Sequence, residues 1–239
     1  MNREFHRWYS PSLQRHMDML IFGHAGARVL VFPTSRGRFF EWEDRGIWKN
    51  LSWLIDGGHI QVYCVDSVDG ESWYNRSVHP GARAWRQTQY DNYLYNEVLP
   101  LSRSKNPNPF MITMGASFGA YHAMNFGLKH PDAVGRILAM SGLYDISYWA
   151  DGFSGEHVYL NNPMWFIAGE NDPQRLAMLQ RLDIIMVAGT DDPLVERSRQ
   201  MSRVLWSKGI GNALREWNGW NHDWPYWEQM IRLYIGGHD

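Results

Sequence analysis

The chain predicts an α/β protein with a mostly parallel central sheet covered by helices on both faces. Three observations carry this. Short apolar runs of strand type recur along the sequence, and stretches of helix length separate them. The runs are apolar at nearly every position, as strands buried on both faces must be, and such strands belong to parallel sheets. No internal repeat, low-complexity tract or linker rich in Pro, Gly and Ser divides the 239 residues, so one domain over 1–239 is expected.

The N-terminal part, from Glu4 through "HMDMLIFG", mixes polar and apolar residues. It predicts one or two exposed antiparallel strands joined near Ser10-Pro11-Ser12. The buried-strand runs follow: "RVLVFP" from Arg28, "HIQVYCV" from His59, "FMITM" from Phe110, "RILAMSG" from Arg136, "DIIMVAG" from Asp183 and finally "ALREW". Between them, "FFEWEDRGIWKNLSWLI", "GARAWRQTQYDNYLYNEVLPLS", "AYHAMNFGLKHPD" and "PLVERSRQMSRVLWSKG" read as helical, and a last helix follows "NGWNHDWPYW". Residues 144–181 interrupt the rhythm. They are aromatic, rich in turn residues and longer than an ordinary crossover, which suggests a small lid or pocket wall, with "MWFIA" a weak strand inside it.

Composition narrows the class. Hydrophobic residues are 44% and charged residues 20%, values of a globular rather than a disordered or fibrous chain. The formal net charge of −2 gives no support for nucleic-acid or membrane-surface binding. The charged N-terminus lacks the apolar core of a secretory signal and no run approaches a membrane span, so a cytoplasmic protein without membrane insertion is expected. Cys64 is the only cysteine and lies in a strand-like run, where a small buried residue is needed; no internal disulfide can form. The sequence carries no signal of oligomeric state.

Chemistry concentrates at "MITMGASFGAYHAM". Gly115-x-Ser117-x-Gly119 is weak as a bare pattern, but here it follows an apolar strand and opens a helix, the context in which a serine is held at a sharp turn as a nucleophile. Side chains at the two glycines would collide where strand and helix cross. A serine hydroxyl needs a base, and ten histidines are available. His222 lies in a loop after the last strand-like run and before the final helix, where such a serine needs its base. His122, five residues along the helix from Ser117, is assigned to packing, and His6, His16, His24, His59, His79, His130, His157 and His238 lack a supporting context. The orienting carboxylate belongs after a strand between the two. Asp192 in "GTDDP" follows the stronger strand and is preferred to Asp172 in the similar "GENDP", with its neighbour Asp191 left open. The order Ser117, Asp192, His222 is that of one serine-hydrolase architecture and not of the others. Negative charge on the attacked oxygen requires two N–H donors: the amide of Phe118, and one from the loop after "RVLVFP", with Ser35 first and Arg36 second.

On "GASFGAYHAMNFGLKHPD", "VAGTDDP" and "WNHDWPYW" the sequence resembles the α/β-hydrolase superfamily, and within it the esterase D-like branch that includes S-formylglutathione hydrolases, enterochelin esterases and mycolyltransferases. The resemblance covers nearly the whole chain from about Met17. It implies an α/β-hydrolase fold without a large cap domain, a nucleophile at Ser117, an acid at Asp192, a base at His222, and no metal or organic cofactor. The oxyanion loop "PTSRGRFF" differs from the better known versions, so the substrate does not carry over.

These readings converge on a carboxylic ester hydrolase working through an acyl-enzyme on small acyl or aryl esters. Phe118, Trp149, Trp220, Trp224 and Trp227 are candidates for an aromatic pocket, and Arg36 and Arg38 beside the oxyanion loop for recognition of an anionic substrate. The same triad would serve an acyltransferase, a thioesterase or a perhydrolase. A non-catalytic binding protein on this fold is the reading from a different class.

Overall fold

The computed structural model describes residues 1–237; His238 lies outside them. Strands β1 (Arg3–Ser10) and β2 (Arg15–Phe22) form an antiparallel hairpin in the register Arg3↔Phe22 to Ser10↔Arg15, as the mixed N-terminal pattern predicts, but only β1 is exposed: β2 is buried from Met19 to Phe22, because β4 pairs with its other side. β1 alternates in exposure along its length and forms one edge of the sheet.

The buried runs become β3 (Ala27–Phe32), β4 (Ile60–Val65), β5 (Met111–Ala116), β6 (Arg136–Met140), β7 (Asp183–Gly189) and β8 (Ala213–Trp217). The sheet order is β1-β2-β4-β3-β5-β6-β7-β8; β2 pairs antiparallel with β4, and every pair from β4 to β8 is parallel. Alternation along the strands sorts side chains to two cores. Leu30 and Phe32 of β3 and Ile184 and Met186 of β7 face one layer, while Val29, Val31, Ile185 and Val187 face the other. Each such side chain contributes about 1.5–3 kcal/mol on burial, so a one-residue slip in register would lose many of these at once.

Helices α1 (Glu41–Asp44), α2 (Ile47–Asn50) and α3 (Ser52–Asp56) connect β3 to β4, α4 (Pro80–Tyr93) and α5 (Leu99–Lys105) lead to β5, and α6 (Phe118–Lys129) follows it. The stretch from Gly81 to Ser102 is helical throughout, but residues Leu94–Val98 form a wider turn. Pro100 explains this, because it has no N–H to donate and its ring crowds the preceding turn. Between β6 and β7 lie a tight turn at Ser147–Ala150 and helices α7 (Glu156–Leu160), α8 (Pro163–Ala168) and α9 (Pro173–Leu179). The weak strand expected at "MWFIA" is therefore α8: Pro163, at its first position, is preorganised for a helix start. α10 (Val195–Ser207) and α11 (Trp224–Tyr234) complete the chain. The loops after β3, β4, β5, β7 and β8 gather at the C-terminal ends of the parallel strands, where ligands of open α/β sheets bind.

Candidate active site

Ser117 stands between β5 and α6 with φ 56° and ψ −121°, in the strained region that a sharp strand-to-helix turn imposes. Its N–H donates to the Met140 carbonyl of the neighbouring strand at 2.9 Å. The glycine on each side is required by contact. A Cβ on Gly115 would lie 2.3 Å from the Gly119 backbone, and one on Gly119 would lie 2.5 Å from the Pro33 carbonyl oxygen. As first residue of α6, Phe118 has an amide with no partner within the helix, and this N–H follows directly on Ser117.

The loops after β7 and β8 bring two more side chains to this turn. His222 Nε2 lies 3.0 Å from Ser117 Oγ, and His222 Nδ1 lies 3.1 Å from each carboxylate oxygen of Asp192. The imidazole is partly exposed, and the Asp192 side chain is fully buried. Burial pushes the Asp192 carboxyl up, but hydrogen bonds from His222, Ser141 and the Leu194 amide outweigh it and hold it below the ordinary carboxylate value. Ser141 is itself anchored by Trp227 Nε1 at 2.9 Å, and the Trp227 ring meets the imidazole edge to face at 5.0 Å.

The loops that carry Asp192 and His222 are laced together. Thr190 N–H donates to the Trp217 carbonyl at 2.9 Å and Asp191 N–H to the Trp220 carbonyl at 3.1 Å, while Gly219 N–H donates to Thr190 Oγ1 at 2.9 Å. Gly189 makes this approach possible, since a Cβ there would fall 1.8 Å from the Trp220 oxygen. The alternatives to Asp192 lie elsewhere. Asp191 is exposed beside Thr190, and Asp172 caps α9 by accepting from the Gln174 and Arg175 amides.

Ser35 and Arg36 sit in a turn after β3. The Arg36 N–H donates to Asp69 Oδ2 at 2.8 Å, whereas among the described residues the Ser35 N–H has no acceptor, which separates the two oxyanion candidates. Trp149 packs against Phe118 and Tyr74 with ring centres 5.4 and 5.9 Å apart. The Phe118 ring is fully buried behind them. Trp220 stacks between Trp217 and Tyr226, and Trp224 packs edge-on to Trp42 and Trp227, in the core layer beneath the histidine loop. Arg38 is tied to Asp66 at 2.7 Å and lies 3.6 Å from Asp18, while the Arg36 guanidinium lies 5.3 Å over the Tyr74 ring.

His122 is not mere packing. It is buried and its Nε2 lies 2.8 Å from Asp69 Oδ1, a contact between residues 53 positions apart that local pattern cannot reveal. Tyr74 was also missed by sequence reasoning; the loop "DSVDGESWYN" after β4, with two aspartates beyond a strand end, is the signal that points to this region. Among the described residues no group of three or more His, Cys, Asp or Glu is placed to hold a metal ion, and no helix is long and apolar enough to cross a membrane.

Comparison with known proteins agrees with this architecture. Residues 54–232 match the family described as "Putative esterase". No curated protein matches the sequence. Among solved structures, a ferulic acid esterase superposes with a TM-score of 0.77 at 18% identity, over 96% of this chain and 94% of that one. An S-formylglutathione hydrolase from Agrobacterium tumefaciens gives 0.74 at 15% identity over 96% and 91%, and FphF, a fluorophosphonate-binding serine hydrolase from Staphylococcus aureus, gives 0.69 at 14% over 97% and 95%. The mostly parallel sheet is that of the α/β-hydrolase fold, and with a family match over most of its length the chain belongs to this esterase family, as an enzyme that hydrolyses esters.

Proposed function

We propose that the protein is a serine carboxylic ester hydrolase in which Ser117, His222 and Asp192 form the catalytic triad. The observation that carries this reading is the unbroken line of contacts from Ser117 Oγ through the imidazole to the buried Asp192 carboxylate. His222 Nε2 takes the hydroxyl proton as Ser117 Oγ attacks the ester carbonyl. Asp192 keeps the other ring proton on Nδ1 and stabilises the imidazolium. The Phe118 and Ser35 amides receive the oxyanion, the alcohol leaves with the proton from His222, and water deprotonated by the same nitrogen releases the acid from the acyl-serine.

Labelling with a fluorophosphonate probe, followed by mass mapping of the adduct, tests the reading. Modification at Ser117 is expected, with sharply reduced labelling in His222→Ala. A folded protein that stays unlabelled would return Ser117 to a structural turn and favour a binding role.

Protonation sets the acid limb. The base must be neutral to accept the Ser117 proton, while Asp192 is held below the ordinary carboxylate value and keeps its charge. log(kcat/KM) is therefore expected to fall with a slope of one as the medium is acidified. A flat profile between about pH 5 and 8 in a chemistry-limited assay would remove His222 from its role.

Substrate selection is assigned to the aromatic wall of Trp149 and Tyr74 and to Arg36. The segment 144–181 acts as a pocket wall held against α4: buried Arg83 donates to the Trp149 carbonyl at 2.7 Å and pairs with Asp151 at 2.8 Å. The Arg36 guanidinium has no carboxylate partner among the described residues and is open to an anionic group on the ester, while Arg38 is occupied. Arg36→Gln is expected to raise KM for esters carrying a carboxylate about three- to tenfold, in keeping with an exposed charge pair worth up to about 1 kcal/mol. Neutral esters of the same size should be unaffected, and an equal effect on both would exclude the assignment.

A further inference from the structure

Beyond the line of Ser117, His222 and Asp192, a second group of buried polar side chains lies behind the turn Thr34–Gly37. The Gly37 amide donates to the Thr34 carbonyl at 2.8 Å and closes the turn, whose third residue, Arg36, has φ 55°. That conformation suits glycine, so an arginine adopts it only where its surroundings enforce it. The Arg36 N–H is held by Asp69 Oδ2 at 2.8 Å. Asp69 is fully buried, and its other oxygen is held by His122 Nε2 at 2.8 Å. On the opposite side of His122, Nδ1 lies 3.4 Å from Gln87 Nε2.

The start of the turn is fixed as firmly. Thr34 N–H and Oγ1 donate to the two carboxylate oxygens of Glu41 at 2.8 and 2.7 Å, and the Tyr74 hydroxyl donates to Ser35 Oγ at 2.9 Å. The Pro33–Thr34 and Ser35–Arg36 peptides are thus each anchored to a carboxylate, one on either side of the Thr34–Ser35 peptide that carries the Ser35 N–H. Of the turn's four amides, only the Ser35 N–H is left without an acceptor among the described residues. The turn also abuts the strand-to-helix turn at Ser117, because the Pro33 carbonyl rests on Gly119 and the Tyr74 ring meets Phe118 at 5.1 Å.

We infer that Asp69, held by His122, is a positioning residue of the oxyanion hole. It fixes the Ser35–Arg36 peptide, as Glu41 fixes the Pro33–Thr34 peptide, so that the Thr34–Ser35 peptide between them keeps its Ser35 N–H directed to the oxyanion together with the Phe118 N–H. One helix governs both donors. α6 presents the Phe118 amide at its first residue and His122 one turn later on the same face, and His122 holds the carboxylate that sets the second donor. The inference rests on the reading of Ser117 as nucleophile.

The test compares Asp69→Leu, which removes the acceptor at similar size, with Asp69→Asn, which keeps an oxygen for the Arg36 N–H. On a neutral ester, Asp69→Leu is expected to lower kcat by about 10- to 100-fold, less than the loss of an oxyanion donor itself, with KM within about twofold. The affinity of a trifluoromethyl ketone, whose adduct with serine carries the oxyanion, should fall by the same factor, and Asp69→Asn should recover most of both. If Asp69→Leu does not fold, His122→Phe carries the same comparison, with His122→Gln as the variant that retains a donor. Unchanged kcat and ketone affinity in folded Asp69→Leu, or equal losses in Leu and Asn variants, would overturn the inference. Wild type that fails to label at Ser117 would instead defeat the nucleophile reading, so the two failures are distinguishable.

Discussion

Ser117→Ala is expected to lower kcat for ester hydrolysis roughly a millionfold, because the nucleophile and base of a triad act as a unit. The hydroxyl makes one side-chain contact, to His222 Nε2 at 3.0 Å, and alanine meets the same backbone strain at φ 56° that serine does. The variant should therefore fold as wild type does, bind ester with similar KM and fail only in turnover. Steady-state rates on a chromogenic ester, with circular dichroism as the folding control, measure this. Turnover within about tenfold of wild type would mean that the reaction does not pass through this hydroxyl.

The second large effect belongs to Asp192→Asn, with an expected loss of about 10⁴-fold in kcat. The carboxylate accepts from His222 Nδ1, from the Leu194 amide at 2.7 Å and from Ser141. An asparagine that keeps its oxygen toward the Leu194 amide turns its NH₂ toward the imidazole, and the ring proton then moves to Nε2. In that tautomer the nitrogen facing Ser117 cannot take a proton. The same substitution has a stability signature. A carboxylate whose folded pKa lies below its unfolded value contributes stability above the unfolded pKa and loses it as pH falls through the folded one. The difference in Tm between wild type and Asp192→Asn should accordingly shrink as pH is lowered from about 5 toward 2. A difference that stays constant would show that the cost of the variant comes from packing.

Much of the architecture was legible in the sequence because burial on both faces leaves a mark that short-range inspection can read. "DIIMVAG" has no polar residue after its first, and it became a parallel strand flanked on both sides, with its side chains divided between the two cores. The sharp turn at Ser117 was legible for a local reason: two glycines stand where a strand passes into a helix. The failures were also physical. "MWFIA" is as apolar as a strand, and only the geometry that Pro163 imposes made it a helix. The aromatic residues of the histidine loop could not be divided by composition between pocket and core, since the indole ring suits both; packing sends Trp220 and Trp224 to the core layer and leaves Trp149 beside Tyr74. The Asp69–His122 pair was invisible because one partner lies in the loop after β4 and the other in α6, and they meet only once the sheet is assembled.

The crossing of Gly189 and Trp220 bears on how this site can fail and how it can be remade. With the two loops stitched through the Thr190 and Asp191 amides, Asp192 and His222 form one prefabricated part, and Ser117 belongs to another built on β5 and α6. Among the described residues the seam between these parts is the contact from His222 Nε2 to Ser117 Oγ. Heat, denaturant or a graft from a related chain should open that seam first, silencing the enzyme while the imidazole is still correctly aligned on its carboxylate. Transplanted separately, either loop would lose its alignment; transplanted together, residues 189–222 would carry their own register with them.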